Sequence, residues 1–174
     1  MFIRVPHADE LPLLQAIERA AGELFVEIGM PDIADDDPFS IEDLEEYLDA
    51  GHLWVIDDAG VPVGYAAVDI IDGNAHLEQL SVDPRYGRRG HGAALLTHVG
   101  EWAATTGYRE VTLTSFERVP WNAPFYARHG FEVMAEHELG PELTALRDDE
   151  ALHGLDPALR VVMRKRLAPG QNGP

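Results

Sequence analysis

Cysteine is absent from all 174 residues. That excludes disulfides, thiolate metal sites and a cysteine nucleophile. Basic residues are scarce: 13 Lys and Arg stand against 31 Asp and Glu, a formal net charge of -18. Such a field repels phosphate backbones, so nucleic acid is not an expected partner. It attracts cationic small molecules, and it equally serves solubility alone. No apolar run approaches the roughly 18 residues that span a bilayer. The opening MFIRVPHADE lacks the apolar segment of a signal peptide. A cytoplasmic protein without a membrane partner is therefore expected. The eight histidines are scattered without HExxH or paired ligand spacing, so no metal site is expected.

What is present suits one folded domain. Apolar residues make up 45% of the chain, enough for a continuous core. No linker or repeat divides it, which predicts one domain over 1–167 and a disordered tail, APGQNGP, over 168–174.

Phe2 to Val5 reads as a strand. Asp9 is expected to cap a helix carrying Leu13, Leu14, Ile17, Ala20, Ala21 and Leu24 at helical spacing. After the loop EIGMPDIADDDPFS, Ser40 and Asp43 form a capping-box pattern for a helix with Ile41, Leu44 and Leu48 on one face. His52 to Asp57 and Val63 to Ile71 read as antiparallel strands. A tight turn at Asp72-Gly73-Asn74 then leads to a strand over Ala75 to Val82. A helix is expected over Ala93 to Thr105 and a strand over Glu110 to Phe116, a strand–helix–strand order that makes a parallel crossover. Pro124 suits the first turn of a short helix. Phe131 to His137 and Leu159 to Leu167 read as a final strand pair, with helix around Pro141 to Leu152 between them. The fold class is α+β, a mixed α/β sheet with helices on its faces.

The informative stretch is HLEQLSVDPRYGRRGHGAALLTHVG. A strand ends at Val82, Pro84 stops further pairing, and Gly87, Gly90 and Gly92 lead directly into a helix. Glycines let main-chain N–H groups converge, and the helix start adds partial positive charge. Arg85, Arg88 and Arg89 lie here, with no acidic residue between Asp83 and Glu101. In a chain this acidic, that combination fits a diphosphate better than it fits a flexible loop with solvated arginines. The spacing G-x-x-G-x-G is not the dinucleotide fingerprint. Within the preceding strand Leu77 falls on the opposite parity to Leu80 and Val82. Either a bulge returns all three to the core, freeing backbone groups for a ligand, or the strand is buried on both faces.

LEQLSVDPRYGRRGHGAALL resembles the bulged strand and pyrophosphate loop of the GNAT superfamily of N-acetyltransferases, and VPWNAPFYARHGFEVM resembles its later helix-and-strand region. The resemblance implies a twisted, mostly antiparallel sheet of about seven strands with a central parallel pair, flanked by helices. It further implies acetyl-CoA as cosubstrate. The backbone of Leu80, Ser81 and Val82 would pair with the pantetheine arm, and amides of Arg88, Arg89, Gly90, His91, Gly92 and Ala93 would hold the pyrophosphate. This chain departs from the family in having Gly87 then Arg88 where the family has Arg or Gln then Gly. By the same resemblance Tyr126 is the expected acid for the departing thiolate, and Asn122 joins the cofactor-binding set. Asn122 also suits a cap for the helix opened by Pro124.

Attack of an amine on a thioester needs a neutral amine, so a general base is useful at neutral pH. Glu78 is the candidate: its strand position resembles that of a proposed base in spermidine/spermine acetyltransferases. An exposed strand glutamate is the plain alternative. The acceptor walls expected are 27–39, 116–121 and 138–156. Asp32, Asp35, Asp36 and Asp37 line the first, and Asp148, Asp149 and Glu150 the third. A small cationic amine fits them. A CoA-binding sensor without transfer activity and a protein or peptide N-acetyltransferase are the competing readings. The apolar strand LRVVMRKRL would suit a homodimer across a two-fold axis.

Overall fold

The computed structural model describes residues 1–168; of the expected tail, 169–174 lie outside the described residues. Seven strands follow the order β1-β2-β3-β4-β5-β7-β6 in one sheet. They are β1 Phe2–Arg4, β2 Leu53–Asp58, β3 Val61–Ile71, β4 Asn74–Val82, β5 Glu110–Phe116, β6 Glu132–Val133 and β7 Arg160–Arg166. The helices are α1 Leu11–Gly22, α2 Pro31–Ala34, α3 Ile41–Ala50, α4 His91–Thr106, α5 Ala123–Arg128 and α6 Pro141–Leu152. β4 and β5 run parallel, while β1–β2, β2–β3, β5–β7 and β6–β7 run antiparallel. This is the mixed, mostly antiparallel sheet expected from the sequence. None of the described helices is long and apolar enough to cross a membrane.

The chain divides into two compact units, 1–68 with 79–99, and 69–78 with the rest from 100 onward. In the first, Leu11, Leu14 and Ile17 of α1 pack with Leu44 of α3, Leu53 and Val55 of β2, and Tyr65 and Ala67 of β3. Ser40 caps α3 as its pattern predicts: its hydroxyl accepts from the Asp43 amide at 3.0 Å, and its own amide donates to Asp43 at 3.0 Å. Asp9 does not cap α1. It lies inside a 3-10 turn, Ala8–Glu10, that precedes the helix. Glu10 closes that turn by accepting from the His7 amide at 2.7 Å while pairing with Arg4, also at 2.7 Å. α1 ends at Gly22, short of Leu24, and a second 3-10 turn, Glu23–Ile28, follows it; the acidic loop beyond contains the short α2. The β2–β3 turn is tighter than expected, with Ala59 and Gly60 both at positive φ, the geometry of a primed hairpin turn. Gly64 of β3 is required by close approach: a Cβ there would lie 2.8 Å from the Ser81 carbonyl oxygen.

In the second unit, β5 pairs with β7 along its whole length, from Glu110↔Arg166 to Phe116↔Arg160. The strand expected over Phe131 to His137 shrinks to Glu132–Val133; Met134 packs against Leu143 and Val162 with its amide donating to the Val162 carbonyl at 2.9 Å, and a 3-10 turn, Glu136–Glu138, follows. β7 therefore has β5 on one side and β6, at Met163 and Arg164, on the other.

Helix α6 begins after Gly140, which has no side chain to serve as a cap. Asp72, in the β3–β4 turn, supplies it instead. Its carboxylate accepts the amides of Glu142 and Leu143, each at 3.0 Å, and the Asp72 amide donates back to Glu142. This is a capping box assembled from residues 70 apart in sequence. A Cβ on residue 140 would sit 2.3 Å from the Asp72 carboxyl, so the cap also explains the glycine. Asp72→Ala should destabilise the protein by about 1–2 kcal/mol, the usual cost of losing a cap, read as a lower urea midpoint.

Candidate active site

The glycine-rich segment lies in the first unit. After β4, Asp83 caps a 3-10 turn, Pro84–Tyr86, by accepting the Arg85 amide at 2.9 Å. It also holds the Arg85 guanidinium at 2.6 Å, which keeps the Asp83 carboxyl below its ordinary range. Arg85 is thereby neutralised within its own turn. Arg88 and Gly90 then take positive φ, 58° and 86°. Gly87, by contrast, is extended. The exchange of Gly87 and Arg88 relative to the family pattern therefore leaves a non-glycine in a left-handed conformation, which L-residues tolerate poorly. Arg89 lies over the Tyr86 ring at 5.4 Å. The first intrahelical bond of α4 runs from the Ala94 amide to the Gly90 carbonyl at 2.9 Å. The amides of His91, Gly92 and Ala93 thus precede the helical ladder, as donors at a helix start that suit an anion. α4 opens at His91, two residues earlier than its apolar spacing suggests.

Along β4, Ala75, His76 and Leu77 are buried in succession, so this half of the strand is covered on both faces. Further along, Ser81 is buried, while Leu80 and Val82 are only half-buried; of the two alternatives, the one in which Leu77, Leu80 and Val82 return together to the core does not fit this burial. The Leu80 amide donates to the side-chain oxygen of Gln79 at 3.1 Å. Gln79 in turn donates to Glu18 of α1 at 2.6 Å, and Glu18 accepts the Tyr65 hydroxyl and the Phe39 amide. Burial raises the proton affinity of Glu18 and Tyr65.

The second unit brings together Glu78, His76, Tyr126, Glu150 and Arg160. Glu78 is half-buried on β4. Burial, then the charges of Asp69 and Glu150, push its carboxyl up to about 7, with Arg160 opposing. Tyr126 of α5 is half-buried, its ring edge-on to Phe125 and Phe131 at 5.3 and 5.8 Å. Burial raises its phenol above the ordinary value, and Arg160 again opposes. One guanidinium therefore acts on both candidate catalytic groups. Asn122 precedes α5 and accepts the Ser115 hydroxyl at 3.1 Å. Its side chain does not cap the helix.

The acidic segments differ in character. Glu150 is committed internally: it pairs with Arg160 at 2.7 Å and Arg147 at 3.6 Å and accepts the Thr114 hydroxyl. In the first unit, Asp36 is held above its ordinary range by partial burial and by the neighbouring Asp32, Asp35 and Asp37. The importance of His76 and Arg160 was missed in the sequence. His76 shares a face with Glu78 by strand period two, a usable local signal. Arg160 reaches the site through a long-range pairing with no local signal.

The seven-stranded sheet has one parallel pair, and a glycine-rich turn opens the helix between the two parallel strands. Residues 49–133 match the Acetyltransferase (GNAT) domain family, and the fold is similar to that of solved GNAT-family acetyltransferases. Similar solved structures include N-acetylglutamate synthase from Neisseria gonorrhoeae, complexed with coenzyme A and N-acetyl-glutamate. That match has a TM-score of 0.74 and 22% identity, and covers 96% of this chain but 35% of the synthase. The chain thus spans about a third of that protein's length. A GNAT-family acetyltransferase from Staphylococcus aureus Mu50 matches at TM-score 0.71 and 19% identity, over 96% of this chain and 99% of the other. The ribosomal-protein-S18-alanine N-acetyltransferase from Escherichia coli matches at 0.66 and 17%, over 99% and 98%. At these identities the likeness is one of fold.

Proposed function

We propose that this protein moves an acetyl group from acetyl-CoA to the primary amine of a small cationic metabolite by direct attack, with Glu78 as general base and Tyr126 as acid. The observation that carries the reading is Glu78: a carboxyl whose proton affinity is pushed up to about 7, two residues before Leu80 on the same strand. A base with that affinity is half ionised near neutral pH, where proton transfer from an amine is most effective.

Acetyl-CoA supplies the acyl group as a thioester. The main chain of Leu80, Ser81 and Val82 pairs with its pantetheine arm, and the amides from Arg88 through Ala93 hold its pyrophosphate. Glu78 takes the proton that leaves the amine as the carbon–nitrogen bond forms. Tyr126, kept protonated by burial, gives a proton to the sulfur as the carbon–sulfur bond breaks. The products are an amide and the CoA thiol, and both side chains return to their starting states by exchange with solvent. Glu150 is engaged by Arg160, and the acidic charge of the chain as a whole favours a cationic acceptor. By its name the E. coli neighbour acts on a protein alanine, so free peptide N-termini belong beside polyamines among the acceptors to be tried.

The test is acetyl-CoA-dependent thiol release across polyamines, amino acids, aminoglycosides and short peptides, with products identified by mass spectrometry. Turnover with cationic small amines is the expected result. Turnover with peptides alone transfers the assignment to a protein acceptor. Silence from protein that binds acetyl-CoA leaves a sensor without transfer activity.

A further inference from the structure

His76 is fully buried in β4, opposite Thr112 of β5 in the parallel register. Its Nδ1 lies 2.8 Å from the Thr112 hydroxyl oxygen. That hydroxyl also lies 3.5 Å from the Ala75 carbonyl oxygen, so it has an acceptor of its own when His76 donates to it. In that arrangement the proton of the neutral ring sits on Nδ1, and Nε2 carries a bare lone pair. This Nε2 is buried with no hydrogen-bond partner among the described residues. Glu78 Oε2 lies 3.6 Å away. Burial pushes the His76 pKa down to about 4, so the contact is not an ion pair at neutral pH. A buried acceptor aimed at a carboxylate is unfavourable; aimed at a carboxylic acid, it has a donor.

We propose that His76 is a positioning residue for acetyl transfer: its Nε2 accepts a hydrogen bond from the protonated Glu78 carboxyl, and so holds the proton that Glu78 removes from the acceptor amine. The inference rests on Glu78 being the base. No net transfer to histidine is needed. The proton moves from the amine nitrogen to a Glu78 oxygen, stays there in the hydrogen bond to Nε2, and leaves to solvent after the amide forms. The charged groups acting on this pair from other elements are Asp69 of β3, Glu150 of α6 and Arg160 of β7. In this arrangement Thr112 holds the Nδ1 side of the ring, so the ring's placement is set by the β4–β5 register and not by Glu78 itself.

An acceptor bonded to the acid form raises a carboxyl's proton affinity. His76→Phe preserves bulk and burial but removes the acceptor. The acid limb of kcat/KM, expected near pH 7 from Glu78, should move down by about one pH unit in this variant. A carbon-13 carboxyl titration of labelled Glu78 should show the same fall without any turnover. A histidine that merely fills the core would leave the limb unmoved or raise it, since phenylalanine is the more apolar, and either result overturns the proposal. If His76→Phe does not fold, Thr112→Val, which releases the tautomer, should shift the titration in the same direction by a smaller amount; no shift there also overturns it. Glu78→Gln separates the two readings. Loss of the acid limb in Glu78→Gln with an unshifted His76→Phe removes only the His76 role. Retention of the limb in Glu78→Gln removes Glu78 as base, and with it the catalytic purpose given to His76.

Discussion

Glu78→Gln should lower kcat/KM by about 100-fold or more, the usual contribution of a positioned general base, and should erase the acid limb of the pH profile. Glutamine keeps the size and hydrogen-bonding capacity of the side chain but cannot take a proton. The sign follows from the carboxyl's affinity of about 7 against an ordinary 4.5. The basic form predominates above pH 7, so wild-type activity rises through that value and falls below it. Stability runs the other way. A carboxyl raised in the folded state favours folding fully below pH 4.5, and this contribution is lost as pH rises through about 7. Glu78→Gln should therefore unfold at a higher temperature than wild type at pH 8, and the advantage should vanish at pH 4. An enzyme that loses activity while this stability difference is absent would have lost something other than a desolvated base.

Tyr126→Phe should lower turnover by about 100-fold or more while leaving acetyl-CoA affinity nearly unchanged. The ring packs against Phe125 and Phe131, and phenylalanine keeps those contacts, so the change isolates the hydroxyl. Because burial raises the phenol above its ordinary value of 10, Tyr126 stays protonated through the working range and imposes no alkaline decline below that value. Pre-steady-state thiol release, with acetyl-CoA binding followed by calorimetry, separates the two quantities. Unchanged turnover removes Tyr126 from the mechanism; equal losses in affinity and turnover make it a packing residue.

Features governed by neighbouring residues were legible in the sequence. The Ser40–Asp43 capping box, the Asp72-Gly73 turn and the glycine turn before α4 all depend on interactions within a few positions. Legibility failed where a distant partner decides. Phe131 to His137 carries enough apolar residues for a long strand, yet the strand is limited to Glu132 and Val133, and the chain passes through Met134, whose amide still donates to the Val162 carbonyl, into a 3-10 turn at Glu136–Glu138. Glu150 reads as a free acidic residue and is instead engaged by Arg160 and Thr114. Glu78 was identifiable by its place in a motif. Its proton affinity was not, since that depends on burial and on Asp69, Glu150 and Arg160.

The cap on α6 has a consequence for the order in which the chain folds. A local cap forms as soon as its helix does. Here the cap belongs to a hairpin turn 70 residues earlier, so α6 has only water for its leading amides until the β3–β4 turn exists and a long loop has closed. The helix becomes a late consolidating element, and contacts made after the rate-limiting step govern unfolding speed more than folding speed. The Asp72–Glu142 pair then acts as a latch: it leaves the rate of reaching the native state nearly unchanged and lengthens the time spent there.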